Sequence, residues 1–485
     1  MLHEKDVEGN VASTTSTDDH SNKEQALAIT TTTMHKKWWQ FWKSDSTVDP
    51  HSYSTLKKST ILIIISFAGA VNPIASTVYY PALTEVQRAF NTTDTAVNAS
   101  VSLFVFLTAF CPLVWASWSD GTGRRPIYLV SFAIAIVGSI CCAVSVNIAM
   151  LIVFRAVSAV GASSVMSLGA GSLADCFEAH ERGRAYSFYV VGPIAGPAIG
   201  PIIGGYLTER FGWRSTFWFV AIFIFCIWTL ILFFLPETYR PDPSTATADV
   251  STKKGKLRIP NPVGALKLLR FPNVLVAVIF LGIMFGVYYL LNTLFAWTYA
   301  NQYKLDSGTV GLCFLPSAVG GILGGNIGGR LSDIVYNRNV RKAGIGAPTY
   351  PEMRLSIPVL CIASFILFGS CVGYGWCVQE NVHFGVPMVF LFFVSFGIML
   401  PHVTLTTYLV DCHRSQSASV TACNNLSRYI MAGIGTLLSS DLMRAMGNGI
   451  LFTVAGALVI LLGIPLIYIK KRPEKWIKMR RDHTK

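Results

Sequence analysis

The chain runs to 485 residues, 52% of them hydrophobic and only 13% charged, with a mean hydropathy of +0.49. Soluble proteins carry about 25% charged residues, so this composition excludes a soluble globular fold and points to an all-α polytopic membrane protein. The net charge of +13 could suggest nucleic acid, but 32 of the 39 Lys and Arg fall in the tails and in alternate connections between apolar runs, a topology signal that excludes that partner.

Runs of about 20 apolar residues, long enough to span a bilayer as helix, recur along the chain. Twelve spans are predicted, over residues 59–80, 98–118, 127–146, 149–172, 186–206, 215–235, 273–298, 308–329, 355–376, 386–409, 418–440 and 448–469. Only Arg88, Arg210, Arg214, Lys304 and Arg444 fall on outward connections, so both termini are expected in the cytoplasm. The basic connections also suit anionic lipid headgroups. Eleven cysteines, mostly inside spans, read as small buried apolar residues and not as a disulfide framework.

In chain order, residues 1–58 are polar and read as a disordered cytoplasmic tail without a cleavable signal. Within it KKWWQFWK (36–43) mixes Trp and Lys, which suits either a headgroup-layer anchor or a partner site. Span 1 is followed by YYPAL (79–83). The first outward connection holds two N-glycosylation sequons, at Asn91 and Asn98; Asn98 is too close to span 2 to be the acceptor, which leaves Asn91. WASWSDGTGRRP follows span 2 and contains Asp120, Gly123, Arg124 and Arg125. Asp120 can accept hydrogen bonds from the start of a neighbouring helix. Arg124 and Arg125 can bind carboxylates of an opposite bundle or lipid phosphates, or can simply set topology.

Charges inside spans are costly unless paired or hydrated. Arg155, in LIVFRAVSAVGASS of span 4, is either functional or reaches back to the outer surface. Asp175 and ERGRA (181–185) follow that span. Span 5 contains GPIAGPAIGPIIGG, with Gly192, Gly196, Gly200 and Gly204 on one slowly drifting stripe beside Pro193, Pro197 and Pro201, closing on Gly205. Such a small-residue stripe lets another helix approach closely, while the prolines bend the helix. Residues 59–235 then form a first six-helix bundle and 273–469 a second, joined by a polar linker over 236–272; residues 470–485 are a basic cytoplasmic tail.

In the second half, span 7 carries Tyr288, Tyr289, Asn292 and Trp297, groups able to line a cavity. Span 8 ends on Gly329, Leu331 and Asp333, which repeats the placing of Asp120 in the first half, and Asp411 at the end of span 10 repeats Asp175. His402 in span 10 can titrate near neutral pH or can be a satisfied core histidine. Arg428 in span 11 follows Asn424 and Asn425, and suits a hydrated cavity face or a salt bridge to Asp411.

Six-plus-six spans in parallel halves resemble the major facilitator superfamily. The loop after span 2 resembles its loop motif, with Ala116, Trp118 and Gly121 departing from it. YYPAL, ERGRA, GPAIGPIIGG and SASVTACNNLSR (417–428) resemble the fungal twelve-span drug:proton antiporters, and most of all the subgroup of multidrug, polyamine and citrate exporters. The resemblance implies proton-coupled export by alternating access at the plasma membrane, by a monomer without cofactor, and it marks Arg155 as a residue linked to proton transfer or substrate handling. It also implies that the span-5 helix packs against the second bundle and seals the leak path. Two buried arginines and no carboxylate within a span favour an organic acid or other anion as substrate. The alternatives are a multidrug or polyamine antiporter, which aromatic faces could serve, and a membrane receptor or sensor that does not transport. No nucleophile elbow, P-loop or metal-ligand spacing suggests an enzyme.

Overall fold

The computed structural model describes residues 53–239, 267–344, 350–413 and 417–472, with Pro50 and three positions within 474–479. KKWWQFWK, most of the N-terminal tail, most of the linker and most of the last tail lie outside the described residues. The described regular structure is helical, as lipid requires when no water is present to satisfy backbone groups.

We label the spanning segments α1 (Thr55–Thr77), α2 (Asp94–Thr122), α3 (Arg124–Ala143), α4 (Ile148–Ala162 and Val165–Cys176), α5 (Ala179–Phe211), α6 (Arg214–Phe234), α7 (Pro272–Asn301), α8 (Ser307–Leu312 and Leu315–Ala343), α9 (Ile357–Gln379), α10 (Gly385–Cys412), and α11 and α12, which share the run Ser417–Lys471. Among the described residues, eleven helical runs are long and apolar enough to cross a membrane. The last contains two segments, because Gly447 at φ 72° and ψ 163° leaves helical space at a point only glycine occupies without strain. The segments number twelve, as expected, and several overrun the apolar core by a turn or more. α1 begins at Thr55, inside the predicted tail, where the Ser54 side chain accepts from the Lys57 amide at 3.4 Å.

The glycine stripe of α5 requires a correction. It faces α1 of its own bundle: a methyl group at Gly192 would overlap the Ser66 carbonyl, at Gly196 the Pro73 ring, at Gly200 the Thr77 hydroxyl and at Gly204 the Val78 carbonyl. Hydrogen bonds cross the same contact, from Ser66 Oγ to the Phe188 carbonyl at 3.2 Å and from Thr77 Oγ1 to the Gly196 carbonyl at 3.3 Å. Toward its end α5 also packs against the second bundle, where Gly205 and the Pro201 carbonyl meet Ser307, Gly308 and Gly311 of α8. Pro193, Pro197 and Pro201 sit within one continuous helix. Gly320, Gly324 and Gly328 of α8 pack likewise on the carbonyls of Phe392, Phe396 and Leu400 in α10.

One apolar core fills the first bundle. The other fills the second bundle and runs on into Tyr79, Tyr80, Val97 and Val101 of the first. That continuity lies on one side of the membrane layer, which we call the seal side. The side bearing the α2–α3 and α8–α9 connections is the loop side.

Candidate transport site between α7, α10 and α11

Phe285, Tyr288 and Tyr289 are spaced i, i+3 and i+4 on α7 and so share one face. The rings of Tyr288 and Tyr289 lie 6.2 and 6.4 Å from that of Phe285, and 6.0 Å from each other. Arg428 of α11 lies over Phe285, its guanidinium carbon 3.8 Å from the ring centre, and also 5.7 Å from the ring of Tyr429. His402 of α10 approaches Phe285 with ring centres 5.3 Å apart. Arg428 donates from Nη1 to Asn425 Oδ1 at 3.2 Å.

Several polar atoms of this cluster are buried and find no hydrogen-bond partner among the described residues. They are Arg428 Nε, His402 Nε2, and both side-chain atoms of Asn424, which is 1% exposed. Buried polar atoms are normally satisfied, so these are available to water or to a guest. Asn292, one turn further along α7, donates its amide to the Tyr288 carbonyl of its own helix at 2.7 Å. Trp297 lies a further turn along α7 and points across to α2, where Nε1 donates to Asn98 Oδ1 at 2.9 Å. The salt bridge between Arg428 and Asp411 does not form, since Asp411 is taken by Arg354.

Arg155 is enclosed elsewhere. It is 2% exposed and lies 4.2, 5.1 and 5.7 Å from the ring centres of Tyr79, Phe104 and Phe217, with Nε donating to the Ser100 carbonyl at 3.2 Å. It therefore does not reach back to the outer surface; aromatic faces hold the charge within the first bundle. Its ring contacts are within the first bundle, whereas those of Arg428 are within the second.

The loop side holds two matched knots. Arg124 binds Asp120 at 2.7 Å and Asp175 at 3.1 Å, and also donates to Ser119 Oγ. Arg354 binds Asp333 at 2.6 Å and Asp411 at 2.9 Å, with Ser332 Oγ at 3.4 Å. The ion pairs of Arg124 and Arg354 each join residues of one half of the chain, so of the alternatives for Arg124 the carboxylates it meets are those of its own half. Arg125 donates to the Leu232 carbonyl at 2.6 Å. The carboxylate at the start of the neighbouring helix is Glu237, not Asp120: it accepts from the backbone amides of Arg124 at 2.8 Å and Arg125 at 3.1 Å, while Gly123 turns the chain at φ 103°. Gly329, beside the second knot, faces Val403 in ordinary contact.

Phe285 and Arg354 escape a reading of the sequence. The 3-4 spacing to Tyr288 and Tyr289 signals the first. The Ser-Asp pair shared by 119–120 and 332–333 signals the second, once an arginine is sought beyond the longer connection. Asn91 ends the short helix Leu83–Phe90 at φ 48° and is exposed.

Comparison with known proteins agrees with this architecture. The profile of the Major Facilitator Superfamily matches residues 65–436. The MFS antiporter QDR3 of Candida albicans is 27% identical, with 87% of this chain and 79% of that protein covered. The multidrug transporter DTR1 of Candida glabrata is 28% identical over 88% of this chain and 87% of its own. A bacterial homologue of the human lysosomal transporter Spinster, solved inward-facing and unoccupied, superposes with a TM-score of 0.67 at 15% identity, covering 88% of this chain and 99% of that one. With twelve spans, two parallel bundles and these relatives, the chain belongs to the Major Facilitator Superfamily and, within it, to the fungal twelve-span drug:proton antiporter family.

Proposed function

We propose that this secondary transporter is an exporter of small organic compounds that works by alternating access and proton antiport, and that its preferred substrate is an organic acid. It acts as a monomer in the plasma membrane with both termini cytoplasmic, so the loop side faces the cytoplasm. The observation that carries the substrate reading is Arg428 over Phe285, with its Nε and His402 Nε2 unpartnered and no salt bridge to Arg428 among the described residues. A carboxylate entering between α7, α10 and α11 would accept from both nitrogens, each charge-assisted bond contributing about 1.5–3 kcal/mol. Asn424 and Asn425 add neutral donors beside it, and His402 brings an imidazole against Phe285. The direction of transport follows from the resemblance of GPAIGPIIGG to the exporter motif.

A second reading is export of cationic or neutral drugs or polyamines. It is favoured by the aromatic faces of Tyr288, Tyr289 and Tyr429 and by the names of the two Candida relatives. Flux from loaded vesicles separates the two. Arg428→Ala should cut export of a tricarboxylate at least tenfold and leave a lipophilic cation unaffected. Faster export of the cation than of the acid by the wild-type chain would overturn the acid reading, and indifference to an imposed pH gradient would overturn antiport.

A further inference from the structure

Asn98 lies in an Asn-Ala-Ser sequon at the start of α2, where a glycan would need an exposed amide. The structure gives it a different occupation. Asn98 is fully buried, and its side chain makes three hydrogen bonds, each to the second bundle. Its Nδ2 donates to Ser440 Oγ at 2.8 Å and Ser439 Oγ at 3.2 Å on α11, and its Oδ1 accepts from Trp297 Nε1 at 2.9 Å on α7. One side chain therefore ties three helices across the line along which the bundles meet.

The surroundings extend the same contact. One turn deeper, Ser102 Oγ donates to the Gly433 carbonyl at 2.8 Å. One turn toward the surface, Thr95 Oγ1 donates to Asp441 at 3.2 Å, and Arg444 bridges Asp94 and Asp441. The outer members, one hydroxyl–carboxylate bond and ion pairs to the half-exposed Arg444, each contribute little. The Asn98 bonds are dry, with Ser439 and Ser440 no more than 1% exposed and Trp297 6% exposed. If the bundles parted on this side, the amide would exchange these partners for water, and the apolar ring around it, including Val97 and Val101, would be wetted.

We propose that Asn98 is a positioning residue of the transport cycle: its amide is the interbundle lock that holds the seal side closed. It fixes α2 against α7 and α11 in this conformation and must release all three bonds before the seal side opens. This assignment does not depend on the substrate, and it removes Asn98 from the glycosylation sites of the chain.

Hydrogen–deuterium exchange of the full chain in lipid nanodiscs, read by mass spectrometry, tests it. Loss of three bonds at once in Asn98→Ala should speed exchange about tenfold or more across 94–102, 292–301 and 433–444. Exchange in the loop-side knots, 119–125 and 330–343, should stay unchanged or slow down. Trp297→Phe keeps an aromatic side chain, though a smaller one, and removes one bond, so it should produce a smaller rise in the same three segments; it decides the matter if Asn98→Ala does not fold. Unchanged exchange at the seal side, or faster exchange on both sides as general loosening would give, overturns the proposal. So does a glycan found on Asn98 in the intact chain.

Discussion

Two glycine stripes that look alike in the sequence should respond oppositely to the addition of one methyl group. On α5, a Cβ at Gly204 would overlap the Val78 carbonyl oxygen and one at Gly192 the Ser66 carbonyl oxygen, both backbone atoms that cannot rotate away. On the second stripe of α8, a Cβ at Gly321 would meet nothing nearer than Met399 Cγ at 3.8 Å, and at Gly325 nothing nearer than Val403 Cγ2 at 3.9 Å. Overpacking of a tight contact costs about 1–3 kcal/mol, which corresponds to roughly 5- to 150-fold in the folding equilibrium. Filling open space on a helix costs nothing of that kind, and replacing Gly with Ala favours the helix by up to about 1 kcal/mol. Gly204→Ala should therefore lower the denaturation midpoint of the solubilised full chain and reduce its yield in membranes. Gly321→Ala should match or exceed the wild-type midpoint. If Gly204→Ala proves as stable as the wild type, or if the two substitutions are equally damaging, the assignment of the α5 stripe to α1 is wrong.

Further expectations follow from the arginines. Arg155→Met removes a guanidinium held by three rings and the Ser100 carbonyl, so it should lower thermal stability while leaving the substrate KM of the surviving protein unchanged; a shifted KM would place Arg155 in contact with substrate. Arg354→Ala removes the ion pairs to Asp411, whose side chain is 14% exposed, and to Asp333, and should cost about 1–3 kcal/mol in stability, with partial recovery when Asp411→Asn is added. An unchanged melting midpoint for Arg354→Ala would show that the second knot contributes nothing.

The legibility of the molecule divides along a physical line. The spans were readable because the free energy of placing each segment in lipid is set by its own side chains, and because Lys and Arg mark one side of the bilayer whatever the helices touch. The halves were readable for the same reason, as was the placing of Asp120 with Asp333 and Asp175 with Asp411, since an internal repeat is a pattern of position. Partnership is different. Arg124 stands four residues after Asp120, but its counterpart Arg354 arrives only beyond a longer connection, and no local pattern joins it to Asp333. Asn98 carries a sequon that suggests a sugar, whereas its burial against Trp297, Ser439 and Ser440 depends on how the two bundles close. A run such as GPIAGPAIGPIIGG announces by itself that some backbone comes close; only the tertiary structure decides that it is α1, because close approach is a property of two surfaces and the sequence of α5 describes one.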